Sequence, residues 1–171
     1  MFAPRLRACR STVRYLAGAT AHILRQGVTL EGTRTFTDED LFKYGGLSGD
    51  FNPLHFDIDT ARGAGFEDRL VHGMLVASQL SRLIASHFPG AVYVSQSFNF
   101  RGPVYVGDEV VTTLEATHVR ASKGRYIAKF LCKCCKDDTV VVDGEATTIL
   151  PTLAIAKEAV LQDDCRCNKR L

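Results

Sequence analysis

An aspartate and a histidine five positions apart, Asp50 and His55, are the pair in this chain best suited to proton transfer. Imidazole titrates near neutral pH, and a carboxylate beside it can deliver or collect the second proton of a reaction. The two lie in Leu47-Ser48-Gly49-Asp50-Phe51-Asn52-Pro53-Leu54-His55, a stretch with too much turn chemistry for a helix interior. Pro53 lacks an amide hydrogen and pushes Asn52 toward extended geometry, while Gly49 can take backbone angles closed to bulkier residues. The stretch therefore reads as a shaped loop able to hold Asp50 and His55 toward one point. Asn52 could fix a side chain or simply bind its own backbone, as Asn does in ordinary turns. Pro53 restricts the loop without needing a contact of its own.

A second constellation is Leu70-Val71-His72-Gly73-Met74. Gly73 stands where a long apolar segment begins. If that segment is a helix, its first amides are unsatisfied donors in a positive field, able to polarise a substrate carbonyl as an enolate-like oxygen requires. Glycine also lets a ligand approach closely, although Gly73 would serve equally to permit tight packing. His72 reads as a capping or core histidine in support of the site. The dinucleotide and nucleotide-phosphate glycine motifs, the H-E-x-x-H zinc motif and the G-x-S-x-G nucleophile elbow are all absent from the sequence. His22, His87 and His118 are too scattered to build a metal site with His55 and His72. Neither a metal nor a cofactor is expected.

The elements that must position these residues follow from patterning. Val28 to Phe36 alternates as a first strand, and Thr37 offers a helix cap before a short helix ending at Gly45-Gly46. Ile58 to Ala64 reads as a helical turn. Gly73 to His87 is the one clear long helix, apolar over more than a single stripe and stopped by Pro89-Gly90, so it should be wrapped by other structure. Beyond it the chain alternates as strand over 92–101, 109–119, 126–134 and 140–150, with reversals at Lys123-Gly124 and Lys136-Asp137-Asp138. Connections this short imply sequential antiparallel pairing. The fold class is α+β, with a long central helix wrapped by a curved antiparallel sheet.

At 171 residues and 46% apolar composition, the chain is long enough for one sizeable core. Residues 1–27 hold five arginines (Arg5, Arg7, Arg10, Arg14 and Arg25) and no acid, the composition of an organelle-targeting peptide. Without those five, 16 basic residues face 19 acidic ones, and a mildly acidic body gives no support for nucleic-acid binding. No apolar run approaches the roughly 20 residues of a membrane-spanning helix, so stable membrane insertion is not expected. Cys132 and Cys134 fall on one face of a strand and read as small buried hydrophobes; with Cys135, Cys165 and Cys167 they match no standard zinc spacing. The domain plan is a leader over 1–27, a body over 28–151, and a C-terminal extension over 152–171 that begins as a short helix from Leu153 to Leu161.

With both constellations in view, the chain resembles the MaoC-like, (R)-specific enoyl-thioester hydratases of the hotdog superfamily. The likeness covers about residues 30–150 and centres on Tyr44-Gly45-Gly46-Leu47-Ser48-Gly49-Asp50-Phe51-Asn52-Pro53-Leu54-His55. Val71-His72-Gly73-Met74 and Phe98-Asn99-Phe100-Arg101-Gly102-Pro103-Val104 add to it. The basic leader and single short domain look most like the mitochondrial, fatty-acid-synthesis branch of that family. The resemblance implies a single hotdog fold, a homodimer joined edge to edge, and a matrix enzyme acting on acyl-carrier-protein or CoA thioesters. Its reaction would be reversible syn removal of water from a (3R)-3-hydroxyacyl thioester. Asp50 and His55 would be its catalytic dyad and the Gly73 amide its oxyanion donor, offered by the facing subunit. The cysteine-rich strand and the tail after Pro151 are not part of the pattern. The nearest rival, a hotdog acyl-thioesterase, shares the scaffold; a non-catalytic acyl-carrier-protein binding module is an alternative of a different class.

Overall fold

The computed structural model describes residues 23–156. In chain order they form β1 (Thr29–Thr35), α1 (Asp38–Ser48), a 3-10 turn (Pro53–His55), α2 (Ile58–Gly63), α3 (Gly73–His87), β2 (Val92–Gln96), β3 (Asn99–Phe100), β4 (Glu109–Ser122), β5 (Arg125–Lys136) and β6 (Thr139–Leu150). The strands make one sheet in the order β1-β4-β5-β6-β2, with β3 also on β6. All the pairings are antiparallel. The result is an α+β, hotdog-like fold. Tight turns at Lys123-Gly124 and Asp137-Asp138 connect β4, β5 and β6, with positive φ at all four residues. Such turns match the natural twist of a hairpin and fix its register.

Alternation along the strands decides which face is covered. On β4, Val110, Thr112, Leu114 and Ala116 are buried; on β5, Ala128, Phe130, Cys132 and Cys134 are. Val76, Ala77, Leu80, Leu83 and Ile84 of α3 join these apolar residues in one core cluster. The Cys132 thiol is fully buried, and that burial pushes it up to about 11, away from reactive thiolate chemistry. Cys134 is raised by burial in the same way. These two cysteines are packing residues. Cys9, Cys165 and Cys167 lie outside the described residues.

Several boundaries differ from the sequence expectation; β4 runs on to Ser122 rather than 119, and three other differences have a tertiary cause. Helix α1 runs through Gly45 and Gly46 to Ser48, because Gly45 serves packing rather than termination. A Cβ there would come within 2.9 Å of the Phe56 ring. The stop comes at Gly49, whose φ of 76° is left-handed and whose N–H donates to Gly45 O at 2.8 Å. At the N-terminal side, the packed body begins before residue 28. Leu24 is buried and its N–H donates to Leu153 O, while Ile23 pairs with Ala154. That pairing holds residues 153–154 extended, so the helix expected from Leu153 is not present in its described part; the rest of it, and residues 1–22 of the leader, lie outside the described residues.

The third difference is a break in the strand expected over 92–101. It divides into β2 and β3 at Ser97-Phe98, where the backbone crosses directly over Gly144 of β6. A Cβ on Gly144 would overlap the Ser97 carbonyl oxygen and lie 2.8 Å from its carbon. Backbone atoms on a sheet cannot yield as a side-chain tip does. Gly144→Ala is therefore expected to cost about 1–3 kcal/mol, the range for overpacking a filled site. Its urea midpoint should fall with little change in slope, and an unchanged midpoint would contradict this account of the break.

Candidate active site

The loop carrying Asp50 and His55 is fixed from both ends. Upstream, Thr37 and Asp40 form a reciprocal capping box at the start of α1, and Arg34 of β1 reaches Asp40 at 2.6 Å. At the helix end, Ser48 Oγ–H donates to Tyr44 O at 2.7 Å and Ser48 Oγ accepts from Asp50 N–H at 3.2 Å. The Asp50 carboxylate then accepts from Asn52 N–H at 3.2 Å, and Asn52 Oδ1 accepts from Leu54 N–H at 3.1 Å. Asn52 thus caps the 3-10 turn, with Pro53 as its first residue and with the extended ψ of 127° that a following proline favours. Downstream, Leu70 N–H donates to Leu54 O, and Val71 N–H donates to Val104 O. These bonds hold the strand-like segment that faces His55.

His55 is mostly enclosed, with 11% of its side chain exposed, and its Nδ1 lies 2.8 Å from Leu70 O. A carbonyl can only accept, so Nδ1 carries the hydrogen and the neutral ring leaves Nε2 bare. Nε2 faces Asp50 Oδ2 at 3.9 Å, too far for a hydrogen bond but close enough for one small oxygen to bridge. Asp50 itself is half exposed.

Gly73 is the first residue of α3, and no side chain caps that helix start. Gly73 and His55 line the same cavity of about 370 Å³, whose other walls include Phe66, Leu70, Val76, Phe100 and Val142, with Arg101 beside them. Phe100 rests over Gly73, and a Cβ there would meet its ring at 2.9 Å.

His72 occupies the cap position of α3 without capping it. Its ring is buried, stacked on His55 with centroids 3.7 Å apart, and its Nε2 lies 3.0 Å from Asp50 O. Burial pushes His72 below the usual imidazole range; the Asp50 carbonyl opposes this and nearby His55 reinforces it. Asp50, His55 and His72 each offer a ligand atom within 4.8 Å of the others. Rings stacked 3.7 Å apart at an interplanar angle of 26° put their in-plane lone pairs in separate planes, a poor arrangement for sharing one ion. The group is better suited to moving protons.

Sequence patterning identified every side chain of this constellation but missed the Leu70 carbonyl and the Phe100 contact. A main-chain acceptor is common to all residue types and leaves no signature. The Phe100 contact depends on the break between β2 and β3.

Comparison with known proteins agrees with the fold and the motifs. The MaoC like domain model matches residues 20–129. A mitochondrial 3-hydroxyacyl-acyl-carrier-protein dehydratase of Arabidopsis thaliana is 52% identical over 143 residues, 82% of this chain and 86% of its own length. The tomato (Solanum lycopersicum) protein FERN, of the same description, is 50% identical over 81% of this chain and 85% of its own. Among solved structures, the (R)-hydratase of A. caviae involved in PHA biosynthesis superposes with a TM-score of 0.70 at 37% identity, covering 75% of this chain and 98% of that one. Among the described residues, no helix is long and apolar enough to cross a membrane. With matching sequence, matching fold and a family model spanning most of the chain, this protein belongs to the MaoC-like dehydratase family.

Proposed function

We propose that this protein reversibly removes water from (3R)-3-hydroxyacyl thioesters to give trans-2-enoyl thioesters. The observation carrying this reading is one largely apolar cavity lined by His55 and by the uncapped helix start at Gly73, with the Asp50 carboxylate 3.9 Å from the bare His55 Nε2. The acyl chain lies along the apolar wall, and the thioester oxygen accepts from the Gly73 amide. That bond strengthens as negative charge moves onto the oxygen. His55 Nε2 takes the C2 proton, the C3–O bond breaks, and the hydroxyl leaves as water with a proton from Asp50. Transfer of the proton from His55 to Asp50 across the 3.9 Å gap resets the site.

Asp50 is half exposed in the single chain, and a seated substrate or a second subunit would cover it. A homodimer is supported by β2, an edge strand with Val92 and Val94 exposed, whose free edge a second copy could extend. Sedimentation at twice the chain mass checks this, and a monomer at micromolar concentration would refute it. In this reading the sheet curls around α3. The substrate carrier is acyl-carrier protein or CoA and the compartment is the mitochondrial matrix, as the arginine-rich leader and the mitochondrial relatives suggest.

Incubation with crotonyl-CoA separates this reading from hydrolysis. Loss of the enoyl absorbance without thiol release is expected. Thiol release with the double bond intact would indicate a thioesterase, and carrier binding with neither reaction would indicate a binding module.

A further inference from the structure

We infer that His72 positions the reacting pair, holding the Asp50 turn through its Nε2–H and backing the His55 ring face to face. The inference rests on the assignment of Asp50 and His55 to proton transfer. His72 is 1% exposed, and its Nε2, 3.0 Å from the Asp50 carbonyl oxygen, must carry a hydrogen because that oxygen only accepts. Its Nδ1 is shielded from solvent and has no hydrogen-bond partner. A hydrogen on Nδ1 would be a buried donor without an acceptor on a charged ring, so the ring is neutral and Nδ1 bare.

The ring cannot swing away. One face meets His55 at 3.7 Å, while Tyr44 and Phe56 close in at 4.9 and 5.7 Å between centroids. The backbone of His72 immediately precedes Gly73, so this one residue joins the oxyanion donor, the acid's main chain and the base's ring. The neutral charge state matters as much as the location. An imidazolium stacked 3.7 Å away would repel the proton that His55 must accept, whereas a neutral ring leaves that step unhindered.

Two substitutions divide the roles. His72→Phe keeps a ring for stacking and loses the donor; His72→Gln keeps a donor of similar reach and loses the ring. With crotonyl-CoA, His72→Phe is expected to lower kcat about 10-fold or more with KM within about threefold, as misplacement of reacting groups does. His72→Gln should recover part of kcat, at least about threefold above His72→Phe, without being the more stable of the two by thermal melting. Unchanged kcat in His72→Phe, a loss confined to KM, or kcat values that merely follow melting temperature would overturn the inference. Nitrogen-15 NMR of the wild-type histidines supplies a test without substrate and without a variant that must fold. His72 should be the neutral Nε2–H tautomer at pH 7, and an imidazolium or Nδ1–H form would overturn the inference. A wild-type protein that fails to hydrate crotonyl-CoA would sink the functional reading, while the tautomer would still test the His72 geometry by itself.

Discussion

Alanine at His55 is expected to lower turnover at least about 100-fold, the low end for losing a positioned acid–base group. The reason is the single available nitrogen. Nδ1 is committed to the Leu70 carbonyl, so Nε2 is the atom left to accept a proton, and nothing in alanine replaces it. His55→Ala will also cost stability, because the ring is 11% exposed, stacks on His72 and bonds to Leu70. In the packed site its loss should cost about 1–3 kcal/mol for the vacated contact and the unpaired carbonyl. Turnover must therefore be measured well below the variant's melting temperature. A rate above half of wild type in fully folded His55→Ala would rule out its role as the base.

The second large effect is expected at Gly73, where the donor is the main chain and a side-chain deletion cannot remove it. Proline can. The first position of a helix tolerates proline, since its amide has no partner within the helix, and the extended backbone of His72 (φ −54°, ψ 126°) suits a following proline. Gly73→Pro thus deletes the proposed oxyanion donor while keeping α3. The expected loss in kcat is about 100- to 1,000-fold, as for removal of one such donor elsewhere. Gly73→Ala is the control, because it keeps the amide but also pushes on Phe100, the end of a half-exposed side chain that can give way. If the two variants lose equal activity, crowding by Phe100 explains the effect and the amide assignment fails.

Local rules carried much of the fold. Thr37, Pro89-Gly90, Lys123-Gly124 and the alternation of β4 and β5 mark boundaries through their own chemistry, and the observed elements follow them closely. Gly45 and Gly144 misled or went unread because their reasons are tertiary. One makes room for Phe56 and the other for the Ser97 backbone, and neither neighbour is near in sequence. Leu24 belongs to the core through a partner at Leu153, a pairing that an arginine-rich leader composition conceals. At the site, residue types and spacing indicated Asp50, His55 and Gly73, because a carboxylate, an imidazole and a helix-start glycine have recognisable chemistry. The orientation of the His55 ring, the stack with His72 and the shared cavity required packing to become visible.

The central claim is that, in a syn hydration beside the Gly73 amide, Asp50 takes a proton from the attacking water and His55 gives one to C2. Hydration of crotonyl-CoA in D2O tests it most directly, with wild type beside Asp50→Asn, a near-isosteric change at a half-exposed side chain. Wild type should give the (3R) product with one deuterium at C2, on the same face as the new hydroxyl, and Asp50→Asn should do so at no more than about one-hundredth of that rate. A deuterium on the opposite face, or more than half the wild-type rate in folded Asp50→Asn, would contradict it.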